Sequence, residues 1–233
     1  MNSPTLLKFI STALIPVGHT MYVYGGGWDE SDTKGGINSV TIGEAEIWKT
    51  FFSLQTSAYD YKKYLHCITL GLDCTGYIGW CIYNLLNNES GGKPFVYPSA
   101  VLGYRLMEAG LGSVLKNNDC HRAGDIFFSP KHHHAYISLG KCSDGSVVLL
   151  HSSPPGVMLS GTSINSRCES EAQRIATYFM HKNFPHWSIK FPHSNRPESY
   201  LTDYLCFRFY DNIVRDPDNI ASLTPFEILQ FLK

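Results

Sequence analysis

The sequence has little charge and no excess of either sign. Of its 233 residues, 19 are Lys or Arg and 20 are Asp or Glu, so 17% are charged and the formal net charge is −1. So low a charge content is untypical of a solvated coiled coil or a disordered acidic tail. A chain without a basic excess lacks the electrostatic attraction behind nucleic-acid binding, so we expect no nucleic-acid partner.

Long apolar runs are also missing. No apolar stretch reaches the roughly 18–20 residues that a membrane helix needs, so we expect no membrane span. The first twenty residues include an apolar stretch, but no basic residue precedes it and Lys8 interrupts it. The pattern is not that of a secretory leader and favours a cytoplasmic location, while export stays open if a leader has been removed.

The cysteines lack the close pairing of a disulfide scaffold. Their number is odd, and they are scattered at positions 67, 74, 81, 120, 142, 168 and 206. This spacing predicts a mostly reduced protein. The sequence also has no CxxC pair and no HExxH helix, so we predict no metal and no other cofactor.

The patterns that are present predict helices first and short strands afterwards. Hydrophobic residues make up 43% of the chain, enough for a sizeable core. We predict helices over 4–15, 44–66, 74–86 and 98–109, strands over 125–128, 134–139, 146–151 and 157–160, and then a helix near 168–182, a strand over 204–210 and a helix over 224–233. Helices followed by an antiparallel meander are typical of an α+β domain, and no linker divides residues 1–233.

The segment around Cys74 carries the strongest chemical signal. Asp73 is a good N-cap, so Cys74 would lie in the first turn of the helix that follows. Free N–H groups and the helix dipole favour negative charge there, which predicts a lowered thiol pKa and a reactive thiolate. A small buried cysteine with no chemical role is the plainer interpretation of Cys74.

Two strand-like segments supply histidines that suit a thiol nucleophile. Alternation predicts that the odd-numbered residues of 134–139 face the core, and that the even-numbered ones, beginning with His134, face a cleft. His134 can then act as general base, with His132, which shares its phase, as second choice. His151 ends the next strand and can hold the His134 ring in one tautomer.

Taken together, these motifs resemble those of the NlpC/P60 cysteine peptidases. The family has an aromatic-Gly-Gly element, then Asp-Cys-Ser/Thr-Gly-aromatic, then Gly-Asp-Ile/Leu-x-Phe, then a His strand and a later polar residue. In this chain the corresponding segments are Tyr22–Gly26, Asp73–Tyr77, Gly124–Phe128, His134–Gly140 and His151–Ser153. The order Tyr, Cys, His, His is that of the unpermuted branch, and the matches cover about residues 20–160.

The resemblance implies a papain-like fold, in which the helix with the nucleophile packs on a small antiparallel sheet or half-barrel. It implies hydrolysis of bacterial cell-wall peptides, or soluble muropeptides, next to γ-D-glutamate through an acyl-enzyme. Cys74 would be the nucleophile, His134 the base and later the acid, and His151 the orienting residue. The residues implied in substrate binding are Tyr22, Asp73 and Thr75.

The chain departs from the family pattern in two places. Residues 28–72 form a long insertion between the Tyr-Gly-Gly element and the cysteine, and its helix could roof the cleft. The segment after about residue 160 extends beyond the minimal domain. No wall-targeting repeat is recognisable, so a soluble peptide fragment is as reasonable a substrate as the polymer.

Three other interpretations stay open. The same Cys-His pair could serve an amidase, a thioesterase or an acyltransferase, since nucleophile and base are common to acyl-group chemistry. A non-catalytic module that binds cell-wall peptides is a second possibility. A zinc site is the third, and its candidate ligands are His132, His133, His134 and His151 with Cys120-His121 or Cys142.

Overall fold

The chain is a mixed α+β protein, described here from a computed structural model that covers residues 4–31, 35–115, 121–165, 168–192 and 195–232. The first helices are α1 (Leu6–Leu14), α2 (Glu46–Ser53), α3 (Cys74–Leu86) and α4 (Leu102–Glu108). The first strands are β1 (Gly112–Leu115), β2 (Ile126–Ser129), β3 (His134–Lys141), β4 (Val147–Ser153) and β5 (Gly156–Thr162). They are followed by α5 (Glu171–Asn183), α6 (Pro185–Lys190), β6 (Asn195–Arg196), α7 (Ser199–Thr202), β7 (Leu205–Phe209) and α8 (Pro225–Phe231).

The strands form one open sheet of seven, in the order β1-β7-β2-β3-β4-β5-β6. Every pairing is antiparallel except the one between β5 and β6. The predicted meander from β2 to β5 is confirmed, because each of these strands pairs with the next. The C-terminal strand β7 lies between β1 and β2, so the segment after residue 160 is part of the sheet itself.

Helices α3 and α8 begin where their capping residues predict. Asp73 accepts a hydrogen bond from the Gly76 N–H at the start of α3. Thr224 forms a capping box with Glu227 before α8, and Pro225 occupies the first helical position, where its missing N–H costs nothing. These local signals set the predicted helix starts.

Two predicted helices are wrong in their bounds. The helix expected over 98–109 forms only over Leu102–Glu108. The helix expected over 44–66 ends at Ser53, and only a single 3₁₀ turn, Tyr61–Tyr64, follows in that range. The rings of Tyr59 and Tyr64 stack on each other and pack around Phe51. Aromatic packing between the two halves of the segment therefore takes the place of a continuous helix.

Two hydrophobic clusters cover the two faces of the sheet. The main core lies between the sheet and the helices, and α3 packs there against α1, β3 and β4. A smaller cluster lies apart from it and consists of Phe127, Tyr136, Leu149, Tyr204 and Cys206, with Leu115 and Tyr200 against it. Within the described ranges, no helix is both long enough and apolar enough to cross a bilayer.

Candidate active site

Cys74 lies at the first position of α3, beside a cleft. Its thiol donates a hydrogen bond of 3.9 Å to the main-chain carbonyl of His133, the residue just before β3. The cleft has a volume of about 360 Å³. It is lined by Tyr22, Tyr24, Gly25, Trp28, Asp73, Cys74, Thr75, Pro98, Ser99 and His133.

Close approach of two backbones brings the aromatic-Gly-Gly element to this helix end. A Cβ atom on Gly76 would lie 2.0 Å from the Gly26 carbonyl oxygen, so only glycine fits there. The Asp73 N–H also donates to the Gly26 carbonyl, at 2.9 Å. The predicted substrate residues Tyr22, Asp73 and Thr75 thus line the same cleft as the thiol.

Burial sets the ionisation of the groups around the thiol. It raises the pKa of Cys74 above the ordinary value, and the Asp73 carboxylate adds to that shift. Hydrogen bonds from nearby backbone N–H groups lower the pKa but do not cancel the rise. The sequence-based prediction of a lowered thiol pKa is therefore wrong for this structure, since burial outweighs the helix N-terminus. Burial likewise raises the pKa of Asp73 to about 6, although its hydrogen bonds act against the shift.

The two predicted histidines are brought together by neighbouring strands. His134 Nε2 lies 2.9 Å from Nδ1 of His151, so Nδ1 is the nitrogen of the His134 ring that His151 does not contact. Burial lowers the pKa of His134 to about 3, with further lowering by Arg196 and His132. Burial, followed by Arg196 and His134, lowers the pKa of His151 as well, so both rings are neutral at pH 7.

The second-choice histidine has a different partner. His132 Nε2 lies 2.8 Å from the Asp203 carboxylate, and the ring stacks on Tyr204. The geometry therefore favours His134 over His132 as the partner of His151.

The prediction for the even-numbered residues of β3 is wrong beyond His134. Tyr136 and Ser138 do not face a cleft, because both are fully buried, as are Ala135, Ile137 and Leu139 on the core face. The C-terminal segment is the cause: Tyr200 and Tyr204 pack on Tyr136, at ring-centroid distances of 5.5 and 5.1 Å. The same two rings flank His134, which is half-buried.

Three residues around the histidines were not predicted from the sequence: Ser160 of β5, and Arg196 and Tyr200 of the C-terminal segment. Arg196 Nε donates to His151 Nε2 at 3.1 Å, and Ser160 Oγ lies 3.0 Å from the same nitrogen. Tyr200 lies 5.6 Å from His134 and 6.1 Å from His151, measured between ring centroids. No spacing signal marks Arg196 and Tyr200, because their proximity depends on where β6 and α7 pack. Ser160 is placed by the pairing of β5 with β4.

The described residues that were considered for zinc do not form a cluster. Among the described residues, no group of three or more His, Cys, Asp or Glu side chains is arranged to hold a metal ion. His134 and His151 bond to each other, whereas His132 bonds to Asp203. Cys120 lies outside the described residues, and the six described cysteines are free thiols.

Comparison of the chain with models of protein families, with curated proteins and with solved structures finds no match. The geometry of the cleft and of the histidine pair is therefore the basis for a function.

Proposed function

We propose that this chain is a cysteine hydrolase that cleaves peptide bonds in bacterial cell-wall peptides, next to γ-D-glutamate. The observation that carries the proposal is the 2.9 Å contact between His134 Nε2 and His151 Nδ1. His134 directly follows His133, whose carbonyl accepts the hydrogen bond from the Cys74 thiol. A nucleophile, a base and a residue that orients the base are the three parts of a Cys-His-X triad. A papain-like fold of the NlpC/P60 type is part of the proposal, and a cysteine-bearing helix on antiparallel strands supports it.

The reaction would pass through an acyl-enzyme. His134 Nδ1 takes the Cys74 proton, and the sulfur attacks the carbonyl carbon of the scissile peptide bond. The Cys74 backbone N–H helps to stabilise the oxyanion. The tetrahedral intermediate then expels the amine, which receives the proton from His134, and leaves a thioester. Water attacks the thioester with His134 again as base, which releases the carboxylic acid and restores the thiol.

The chemistry of the cleft fits a peptide with a free amino group. Asp73 is the acidic residue in its lining, and a carboxyl with a pKa of about 6 is mostly ionised at pH 7. Tyr22, Tyr24 and Trp28 provide aromatic surface beside it. Burial, with Cys74 and Asp73, raises the pKa of Tyr22, so its hydroxyl stays protonated and can donate to the substrate or the oxyanion.

The test is hydrolysis of L-Ala-γ-D-Glu-diamino acid by the full chain, followed by mass spectrometry. Removal of the nucleophile or base in Cys74→Ala or His134→Ala should lower kcat/KM by at least about 10³-fold. His151→Ala should lower it less, because the base remains but loses its orientation.

The matched controls are Cys168→Ala, an exposed thiol, and His186→Ala, an exposed histidine of α6. Both should turn over at close to the wild-type rate. Normal turnover by folded Cys74→Ala would falsify the mechanism. Cys74-dependent hydrolysis of a simple ester or thioester, with no muropeptide cleavage, would instead support the amidase, thioesterase or acyltransferase alternative.

A further inference from the structure

Arg196 contacts the histidine pair from the side of His151. Its Nε donates to His151 Nε2 at 3.1 Å, its Nη1 to the Asn195 carbonyl at 2.8 Å and its Nη2 to Met158 Sδ at 3.4 Å. Among the described residues, no Asp or Glu lies within ion-pair distance of it. A partly buried cation without a counter-ion is costly, which indicates a purpose other than stability.

This contact fixes where the protons of the pair lie. Arginine has N–H donors and no acceptor, so the His151 Nε2 it touches must be unprotonated. The proton of neutral His151 is then on Nδ1 and is donated to His134 Nε2. Neutral His134 consequently carries its own proton on Nδ1.

A base that takes the Cys74 proton needs the opposite arrangement. His134 Nδ1 must be free, so Nε2 of His134 carries the proton and Nδ1 of His151 accepts it. To reach it, the proton on His151 Nδ1 crosses the hydrogen bond to His134 Nε2, His134 Nδ1 releases its own proton to solvent, and His151 Nε2 takes up one from solvent. That new N–H would meet the Arg196 N–H. Ser160 Oγ, 3.0 Å from that nitrogen, is a hydroxyl and can accept a hydrogen bond from this N–H.

We propose that Arg196 is a positioning residue that holds the His134–His151 pair in a resting proton arrangement, and that Ser160 replaces it as the partner of His151 in the competent form. The inference depends on the proposed function, since it assumes that His134 serves Cys74. Arg196 belongs to a strand of only two residues, Asn195–Arg196, at the edge of the sheet. So short an edge strand can separate at low cost, which makes withdrawal of Arg196 feasible.

The other groups that face the pair do not impose this arrangement. Tyr200 and Tyr204 flank His134, and burial raises the pKa of both hydroxyls, so they stay neutral. His132 is paired with Asp203, which also binds Lys131. The groups that titrate or carry charge around the pair are Arg196, Cys74, Tyr200, Tyr204 and His132 with its partner Asp203.

The experiment measures the rate of iodoacetamide labelling of Cys74 against pH in the full chain. Arg196→Gln removes a positive charge beside the imidazoles, which raises their pKa and favours transfer of the Cys74 proton to His134. The labelling midpoint should therefore fall by about one pH unit. Arg196→Lys keeps a donor-only cation and should restore a midpoint close to that of the wild type. Arg174→Gln, an exposed arginine of α5, is the matched control and should change nothing.

A second variant keeps the inference testable if Arg196→Gln does not fold. Ser160→Ala leaves Arg196 in place but removes the proposed acceptor, so it should raise the midpoint. In parallel, ¹⁵N NMR of the histidines should find His151 Nε2 unprotonated in the wild type and protonated in Arg196→Gln.

An unchanged labelling midpoint in both Arg196→Gln and Ser160→Ala would overturn the inference, as would a protonated His151 Nε2 in the wild type. Failure of the proposed function has a different signature. If His134→Ala leaves Cys74 labelling unchanged, Cys74 has no imidazole base. The NMR result then still decides whether Arg196 sets the proton of His151.

Discussion

His151 is fully buried, and each of its ring nitrogens has a polar partner: His134 on Nδ1, and Arg196 with Ser160 on Nε2. At the scale of single residues, the sequence predicts one side of this arrangement, the contact with His134. The order of a cysteine after a helix cap, then a histidine, then a second histidine at the end of the next predicted strand can be read directly from the sequence. Arg196 could not be predicted, because nothing in its neighbours in sequence indicates a contact 45 residues away.

Burial of a neutral histidine makes stability depend on pH. The folded pKa of His134 is about 3, below its ordinary value of 6.5, so between these values the unfolded chain binds a proton that the folded chain does not. Its contribution is therefore lost as pH falls through this window, and the free energy of unfolding rises with pH. At pH 4.5 the loss from this one group amounts to about 2–3 kcal/mol.

Urea unfolding at pH 7 and pH 4.5 measures this dependence. His134→Gln removes the titrating group, so its stability should change less between the two pH values than that of the wild type. The exposed His186→Gln variant is the control and should follow the wild type. Asp73, with its raised pKa, acts in the opposite direction between about 3.8 and 6, but it is common to all three proteins and cancels in the comparison. An equal loss in His134→Gln would contradict the assignment.

At the scale of elements, α3 is where prediction and structure agree best. The cap at Asp73 and the apolar run after it are local properties, and the helix begins at Cys74 and ends at Leu86, as the sequence indicates. The predicted helix over 44–66 fails for the opposite reason. Its apolar spacing is helical, but Tyr59 and Tyr64 pack against Phe51 only if the chain turns after Ser53.

The approach of Gly26 to α3 gives a prediction at this scale. Gly76→Ala would place a Cβ 2.0 Å from the Gly26 carbonyl oxygen, so the loop with Tyr22 must move away from Cys74. Overpacking of this kind should lower the free energy of unfolding by about 3 kcal/mol. It should also lower kcat/KM, because the loop that would move supplies Tyr22 and Tyr24 to the lining of the cleft.

Gly92→Ala is the matched control. Its Cβ would lie no closer than 3.1 Å to its nearest neighbours, side-chain atoms of Asn87 and Tyr83, a much milder contact than 2.0 Å to a backbone oxygen. Chemical denaturation and turnover should both be close to those of the wild type. Full stability of Gly76→Ala would show that the contact between the loop and the helix is not tight in solution.

At the scale of the whole molecule, the C-terminal segment completes the sheet. β7 pairs with β1 on one side and β2 on the other. Arg208 on β7 binds the buried Asp125 beside β2 with two hydrogen bonds, of 2.7 and 2.6 Å. The chain should therefore unfold as one unit.

Phe207, fully buried on β7, tests this expectation. Phe207→Ala should lower the free energy of unfolding by about 3–5 kcal/mol, the usual cost of truncating a buried phenylalanine. Unfolding should stay a single transition by tryptophan fluorescence and circular dichroism. Phe231→Ala, at a side chain 55% exposed, should cost far less. Two separated transitions in Phe207→Ala would show instead that the C-terminal segment folds independently.

The sequence by itself determined the α+β class, the meander from β2 to β5, the start of α3 at Cys74 and the succession of a cysteine and two histidines. These features depend on capping, alternation and turns, which act over a few residues. Only the tertiary structure decided that β7 lies between β1 and β2, that Tyr200 and Tyr204 cover the face of β3, and that Arg196 meets His151. Those contacts join residues far apart in the chain, and long-range packing leaves no periodic trace in the sequence.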